Sequence, residues 1–181
     1  MPNLATLAPK LHPKALTCRA VVECPKGSRA KYAFDPKTRA FELKRLLPDG
    51  MSFPLDFGFV PGTVAADGDP LDIMVLNDVP ACVGAQLECR LIGLIEGEQV
   101  EDGKPPVRND RVLAVACVSF LFGAVASTGD LGEGVLHNLT QFWVNYDALR
   151  GVEFRVVGVK GPKAAVAAIR KTLTDKHSGK P

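Results

Sequence analysis

Three aspartates, Asp67, Asp69 and Asp72, crowd into the stretch AADGDPLDIMVL. Carboxylates this close repel one another unless a cation, a basic cluster or bulk water offsets the charge. Pro70 disfavours the helical region for Asp69, so the segment is expected to be extended, with Asp67 and Asp69 on one side. Asp72 joins them only if the chain bends at 68–70, which Gly68 permits. Oxygen ligands with no His or Cys among them suit a hard cation, Mg²⁺ or Mn²⁺. Such ions neutralise phosphate oxygens and acidify bound water. Against this stands a hydrated loop tip, because D-G-D-P is good turn sequence. An EF-hand loop is excluded: counted from Asp67, its ligand and glycine positions hold Leu71 and Asp72. A nucleophilic D-x-D after a buried strand is disfavoured, since VPGTVAA is poor strand sequence. The residues alone leave the hydrated turn and the cation site open.

The elements that must position this cluster are mostly strands. ALTCRAVVECP reads as a strand, and AKYAFD and AFELKRLL flank PKTR as a hairpin. The run from 47 to 70 is dense in Gly and Pro and reads as loop and short strand, too long to be a simple connection. LDIMVL, LECRLIGLIEG and RVLAVACVSF are apolar strands, with a polar loop over 96–110 between the last two. Periodicity then becomes helical, with Val135, Leu139, Phe142, Tyr146 and Leu149 on one stripe and Gly151 as the stop. VEFRVVGVKG is a strand, and Pro162 opens a second helix through TL at 172–173. Residues 1–14 are expected to form an arm and 175–181 a frayed tail. Strands first and helices late predict an α+β or mainly β class, a small barrel with helices packed outside.

The 181 residues suit one domain, and 46% hydrophobic content excludes a disordered chain. A net charge of +2 with no basic run argues against nucleic acid as a partner. No apolar run is long enough to span a membrane, and the first residues lack a signal-type apolar core. Five cysteines without a C-x-x-C predict neither zinc nor a disulfide framework. They read as core residues of a cytoplasmic protein. His12, His137 and His177 are too scattered to form a ligand set, and Trp143 reads as packing.

The string DGDPLD followed by an apolar strand resembles the signature of the family I soluble inorganic pyrophosphatases. Other segments agree in order: Glu23 before a turn, the pair Lys31-Tyr32 after it, Arg45 in FELKRLL, the aromatic segment SFPLDFGFVPGT and Tyr146 in FWVNYDAL. The resemblance covers about residues 19–160. It implies an OB-like five-stranded barrel with two flanking C-terminal helices, hydrolysis of pyrophosphate, Mg²⁺ (or Mn²⁺ as a substitute) and a homo-oligomer. By the same resemblance Asp67 and Asp72 ligate metal, and Asp69 orients or deprotonates the metal-bound water. Lys31, Arg45 and Tyr146 hold phosphate, and Glu23 supports the site from outside.

The outer shell departs from the family pattern. Ala33 replaces a common glutamate, Phe57 a tyrosine, and Asp147 the lysine after Tyr146. In the family's D-x4-D-x-K segment, Asn109 takes the second aspartate position and Arg111 the lysine position. Asp110 serves as a metal ligand instead if a bulge intervenes, and Glu98, Glu101 or Asp102 supplies the first aspartate. Two alternatives follow from these losses: a non-catalytic or weakly active phosphate- or nucleotide-binding protein, and a hydrolase of a larger phosphoanhydride.

Overall fold

The computed structural model describes residues 2–177. Nine strands form among the described residues: β1 (Thr17–Cys24), β2 (Ala30–Asp35), β3 (Ala40–Leu46), β4 (Asp56–Phe59), β5 (Asp72–Leu76), β6 (Gln86–Val100), β7 (Val107–Arg108), β8 (Arg111–Ala116) and β9 (Glu153–Lys160). The helices are α1 (Glu133–Ala148) and α2 (Pro162–Thr172). Strands β1, β4, β5, β8 and β6 pair in that order, and β6 pairs back with β1, which closes a ring of five strands. This mainly β ring of five strands, with two helices, is consistent with the OB-like fold that the resemblance implies. Within the ring only the β5–β8 pair is parallel.

The unbroken apolar character of β5 and β8 has a physical reason. Both strands are buried on two faces, as parallel neighbours commonly are. Met74 and Leu76 join Leu113 and Val115 under α1, with Phe53, Phe57, Trp143 and Tyr146. Ile73 and Val75 join Val112 and Ala114 on the opposite face, against Val166 and Ile169 of α2. Gly58 in β4 lets the chain cross here, since a Cβ would stand 1.8 Å from the Val21 carbonyl oxygen. The β2–β3 hairpin lies outside the ring and packs Phe34 and Phe41 beside Phe59.

Several sequence expectations change. The polar loop over 96–110 shrinks to 101–106, because β6 continues to Val100, pairing with β9 and with the short β7. Charged side chains alternating with small residues are compatible with a strand whose backbone is fully paired. The strand expected over RVLAVACVSF stops at Ala116. Beyond it, Asp78 accepts from the Ser119 hydroxyl at 2.5 Å and the Phe120 amide at 2.9 Å, while Arg90 donates to the carbonyls of Phe122, Gly123 and Val125. These bonds hold a turn on which Val118, Phe120 and Leu121 are strongly exposed.

The N-terminal segment is no free arm: Leu4 is buried against Val21 and Phe59, and His12 bridges to Thr17. On α1 the middle of the stripe is buried but Val135 and Leu149 are exposed, and Trp143 takes a core place beside it. Of the expected frayed tail, 175–177 form a turn with His177 near the Thr6 carbonyl at 3.2 Å, and 178–181 lie outside the described residues. Cys18, Cys24 and Cys89 are buried as expected of core residues, but Cys82 and Cys117 are exposed. Among the described residues no helix is long and apolar enough to cross a membrane.

Candidate active site

The aspartate stretch is bent rather than extended. Gly68 has φ +90°, and the Asp69 amide donates to the Asp67 carboxylate at 3.1 Å, an Asx turn. The bend does what an extended segment could not: Asp67, Asp69 and Asp72 all line one cavity of about 300 Å³. Asp67 and Asp69 sit at the exposed mouth, and Asp72, first residue of β5, is half-buried.

Five cations share this wall: Lys31, Lys44, Arg45, Arg111 and Arg150. Each is placed by its element. The parallel register sets Arg111 of β8 opposite Asp72, and their side chains pair at 2.8 Å. The Arg111 guanidinium lies 4.4 Å from the Trp143 ring centroid and donates to Asn109 Oδ1, so Asn109 fixes it from below. Arg111 Nε is buried with no hydrogen-bond partner among the described residues. Lys31 of β2 pairs with Glu23 at 2.9 Å and stands 4.6 Å from the Phe57 ring centroid. The other oxygen of Glu23 accepts from the Phe34 amide at 2.8 Å, which ties β1 to β2. A register shift at Lys31/Tyr32 leaves Lys44 as an extra residue on β3, so Lys44 and Arg45 both reach the cavity although they are adjacent. Arg45 lies over the Tyr146 ring at 5.4 Å.

Burial pushes the Asp72 carboxyl up to about 6, with Arg111 and Lys31 opposing. Asp67 is also raised, by partial burial and by the charge of Asp69, against Arg111. Burial works to lower the Lys31 ammonium, but Glu23 beside it outweighs burial and the net shift is upward. Burial raises the Tyr146 phenol, so it remains a hydrogen-bond donor at neutral pH.

The sequence-expected residues Asp67, Asp69, Asp72, Lys31, Arg45, Arg111, Asn109 and Tyr146 therefore line one cavity. Glu23 touches it only through Lys31. Asp110 and Asp102 are not brought there. The Asp110 carboxylate accepts from the Gly97 amide at 3.1 Å and pairs with Arg108 at 2.6 Å, and Asp102 is exposed in the 101–106 turn. Glu101 comes nearer, in a neighbouring cavity that shares Asp67 and Gln99. Sequence reasoning missed Lys44, Gln99 and Arg150. Arg150 had a signal, since it stands four residues after Tyr146, at the spacing that shares a face if the expected helix runs on to its stop at Gly151.

The donor set fits a hard cation in type, being carboxylate alone. Among the described residues no three acidic, His or Cys side chains converge on one point. A cation here would be held by one or two of Asp67, Asp69 and Asp72, with water and phosphate oxygens completing its shell, as Mg²⁺ usually is.

Comparison with known proteins agrees with this arrangement. The inorganic pyrophosphatase family profile matches residues 20–177. The inorganic pyrophosphatase of Thermus thermophilus is 36% identical over 156 residues, covering 84% of this chain and 86% of that protein. That of Synechocystis is 33% identical over 161 residues, covering 89% and 92%. The crystal structure of the Thermus thermophilus enzyme superposes with a TM-score of 0.84 at 34% identity, covering 94% of this chain and 96% of that one. The Neisseria gonorrhoeae structure gives 0.81 at 27% identity, covering 92% and 94%. With the closed ring, the aspartate turn and the surrounding cations all in place, the chain belongs to the inorganic pyrophosphatase family.

Proposed function

We propose that this protein hydrolyses inorganic pyrophosphate to two phosphates in the cavity of Asp67, Asp69 and Asp72. One observation carries the reading beyond family membership: three carboxylates and five cations, Lys31, Lys44, Arg45, Arg111 and Arg150, line the same cavity, the mixed set that suits a phosphate bound together with a divalent cation. Lys31, Arg45 and Arg111 hold phosphate oxygens, and the Tyr146 hydroxyl donates to the departing phosphate. Asp69, at the open mouth beside Gly68, accepts the proton of the attacking water. Asp67 and Asp72 would hold Mg²⁺ or Mn²⁺. When bound, such an ion neutralises the phosphate oxygens and makes water a better nucleophile at neutral pH. Fixed dipoles and cations aimed at developing charge are commonly the largest part of such catalysis.

The test is phosphate release from pyrophosphate with Mg²⁺ or Mn²⁺, beside Asp69→Asn. Turnover that the substitution abolishes supports the reading, and no release by the native protein refutes it.

A second cavity favours a wider substrate range. It measures about 240 Å³, shares Lys31, Asp69 and Asp72 with the first, and is walled by Ala33, Phe34, Pro36 and Phe59. An organic group on a diphosphate would fit there, and assay with nucleoside di- and triphosphates decides the matter. The exposed Val118, Phe120 and Leu121 support a homo-oligomer, to be checked by sedimentation. Five free cysteines support a reducing, cytoplasmic setting.

A further inference from the structure

Asp147 is an odd residue for its place. It is fully buried and lies in the last turn of α1, where the helix dipole disfavours negative charge. Both its oxygens are nevertheless engaged. Oδ2 accepts from Gln99 Nε2 of β6 at 2.9 Å, and Oδ1 pairs with Arg150 at 3.2 Å. The Arg150 amide also donates to the Asp147 carbonyl at 2.8 Å, so backbone and side chain fix Arg150 to the same residue. Arg150 itself is partly exposed and lines the phosphate cavity, as does Gln99. It lies four residues after Tyr146, just past the end of α1, and shares the cavity with Asp67, Asp69 and Asp72.

We infer that Asp147 and Gln99 form a clamp that aims Arg150 at a substrate phosphate, making Arg150 a binding residue and Asp147 a positioning residue. The inference rests on the pyrophosphatase reading. It explains why a buried carboxylate directly follows Tyr146. The carboxylate does not face the substrate; its negative charge holds a guanidinium that does. An arginine so held presents its remaining N–H groups in a fixed plane, the geometry that suits a phosphate.

The experiment is a double-mutant cycle on pyrophosphate hydrolysis with Mg²⁺, reading KM, kcat and Tm for Arg150→Ala, Asp147→Asn and the pair. Arg150→Ala is expected to raise KM roughly tenfold, with a smaller change in kcat. Asp147→Asn should raise KM in the same direction by less, and should add nothing in the Arg150→Ala background. Arg150→Lys should recover part of the loss. An unchanged KM in Arg150→Ala overturns the inference, whatever happens to Tm. So does an Asp147→Asn effect of equal size in both backgrounds, which would make Asp147 merely structural. If Asp147→Asn does not fold, Gln99→Met takes its place in the cycle. If the native protein shows no turnover, the pyrophosphatase reading fails, and the same cycle is read from pyrophosphate Kd by calorimetry. Absence of pyrophosphate binding would sink the clamp as well.

Discussion

Replacing Glu23 by glutamine tests how the site holds its most enclosed cation. Both partners of the Glu23–Lys31 pair are largely buried, with side chains 10% and 17% exposed. Removing the charge of one partner of a buried pair costs about 3–5 kcal/mol, because the other is left uncompensated. Lys31 keeps some support in the variant. The Phe57 ring remains 4.6 Å away, a contact worth about 0.5–2 kcal/mol, and Asp72 still attracts it. The substituted amide also keeps an oxygen to accept from the Phe34 amide, as Glu23 does. The low end is therefore expected, about 3 kcal/mol, or a Tm lower by about 6–12 °C for a chain of this size. The Lys31 pKa is raised above its ordinary 10.5, so the pair contributes fully below that value and is lost only as pH climbs through the raised one. Melting at neutral pH by circular dichroism therefore reads the whole effect. The pair Glu23→Leu with Lys31→Met should regain most of the stability and none of the activity. A Tm change under about 2 °C in Glu23→Gln would show that water, not Glu23, solvates Lys31, and the reasoning would fall.

Mg²⁺ at tenfold over its Kd should stabilise the native protein by about 1.4 kcal/mol, seen as a Tm rise of about 3–6 °C that Asp67→Asn or Asp72→Asn removes. A thiol reagent at mildly alkaline pH should modify Cys82 and Cys117 only. Cys18 and Cys24 are buried, with thiols pushed up to about 12 and about 11 by burial first, and Cys89 is buried and raised likewise. Mass spectrometry after unfolding should show all five modified. Asp78→Ala should make the bond after Phe120 a chymotrypsin site at neutral pH. The Ser119 hydroxyl and the Phe120 and Leu121 amides lower the Asp78 pKa, so in the native protein the hold is complete above the ordinary 3.8 and is lost as pH falls through the lowered value.

The ring and its helices are legible in the sequence because apolar periodicity reports burial directly. β5 and β8 read as strands, and Pro162 marks the start of α2 at the residue where it begins. What escapes is whatever depends on pairing partners distant in sequence. Glu96 to Val100 look like loop until β9 is known to lie beside them. The extended reading of 67–69 weighs Pro70 and misses how readily Asp67 caps its own turn at Asp69. At the site, Asp67, Asp69 and Asp72 announce themselves by spacing, whereas Lys31, Arg45 and Tyr146 stand out only through resemblance. Lys44 is invisible because alternation assigns it to the face opposite Arg45, and only the bulge opposite Lys31 cancels that alternation. Asp147 looks like a simple reversal of charge, and its bond to Gln99 depends on a contact across 48 residues of chain.

The closed ring has a kinetic consequence. Closure joins Thr17 of β1 to Arg90 of β6, and the cavity then draws on β2, β3, β5, β8 and α1. Meeting across so long a loop costs chain entropy before most of the stabilising contacts exist. Folding is therefore expected in the slow range of β-rich topologies, about milliseconds to seconds. Tyr146 and Arg150 follow β1 to β8 in sequence, so the cavity of Asp67, Asp69 and Asp72 is completed only after all the strands of the ring have been made. Recovery of activity should accordingly trail the recovery of secondary structure during refolding.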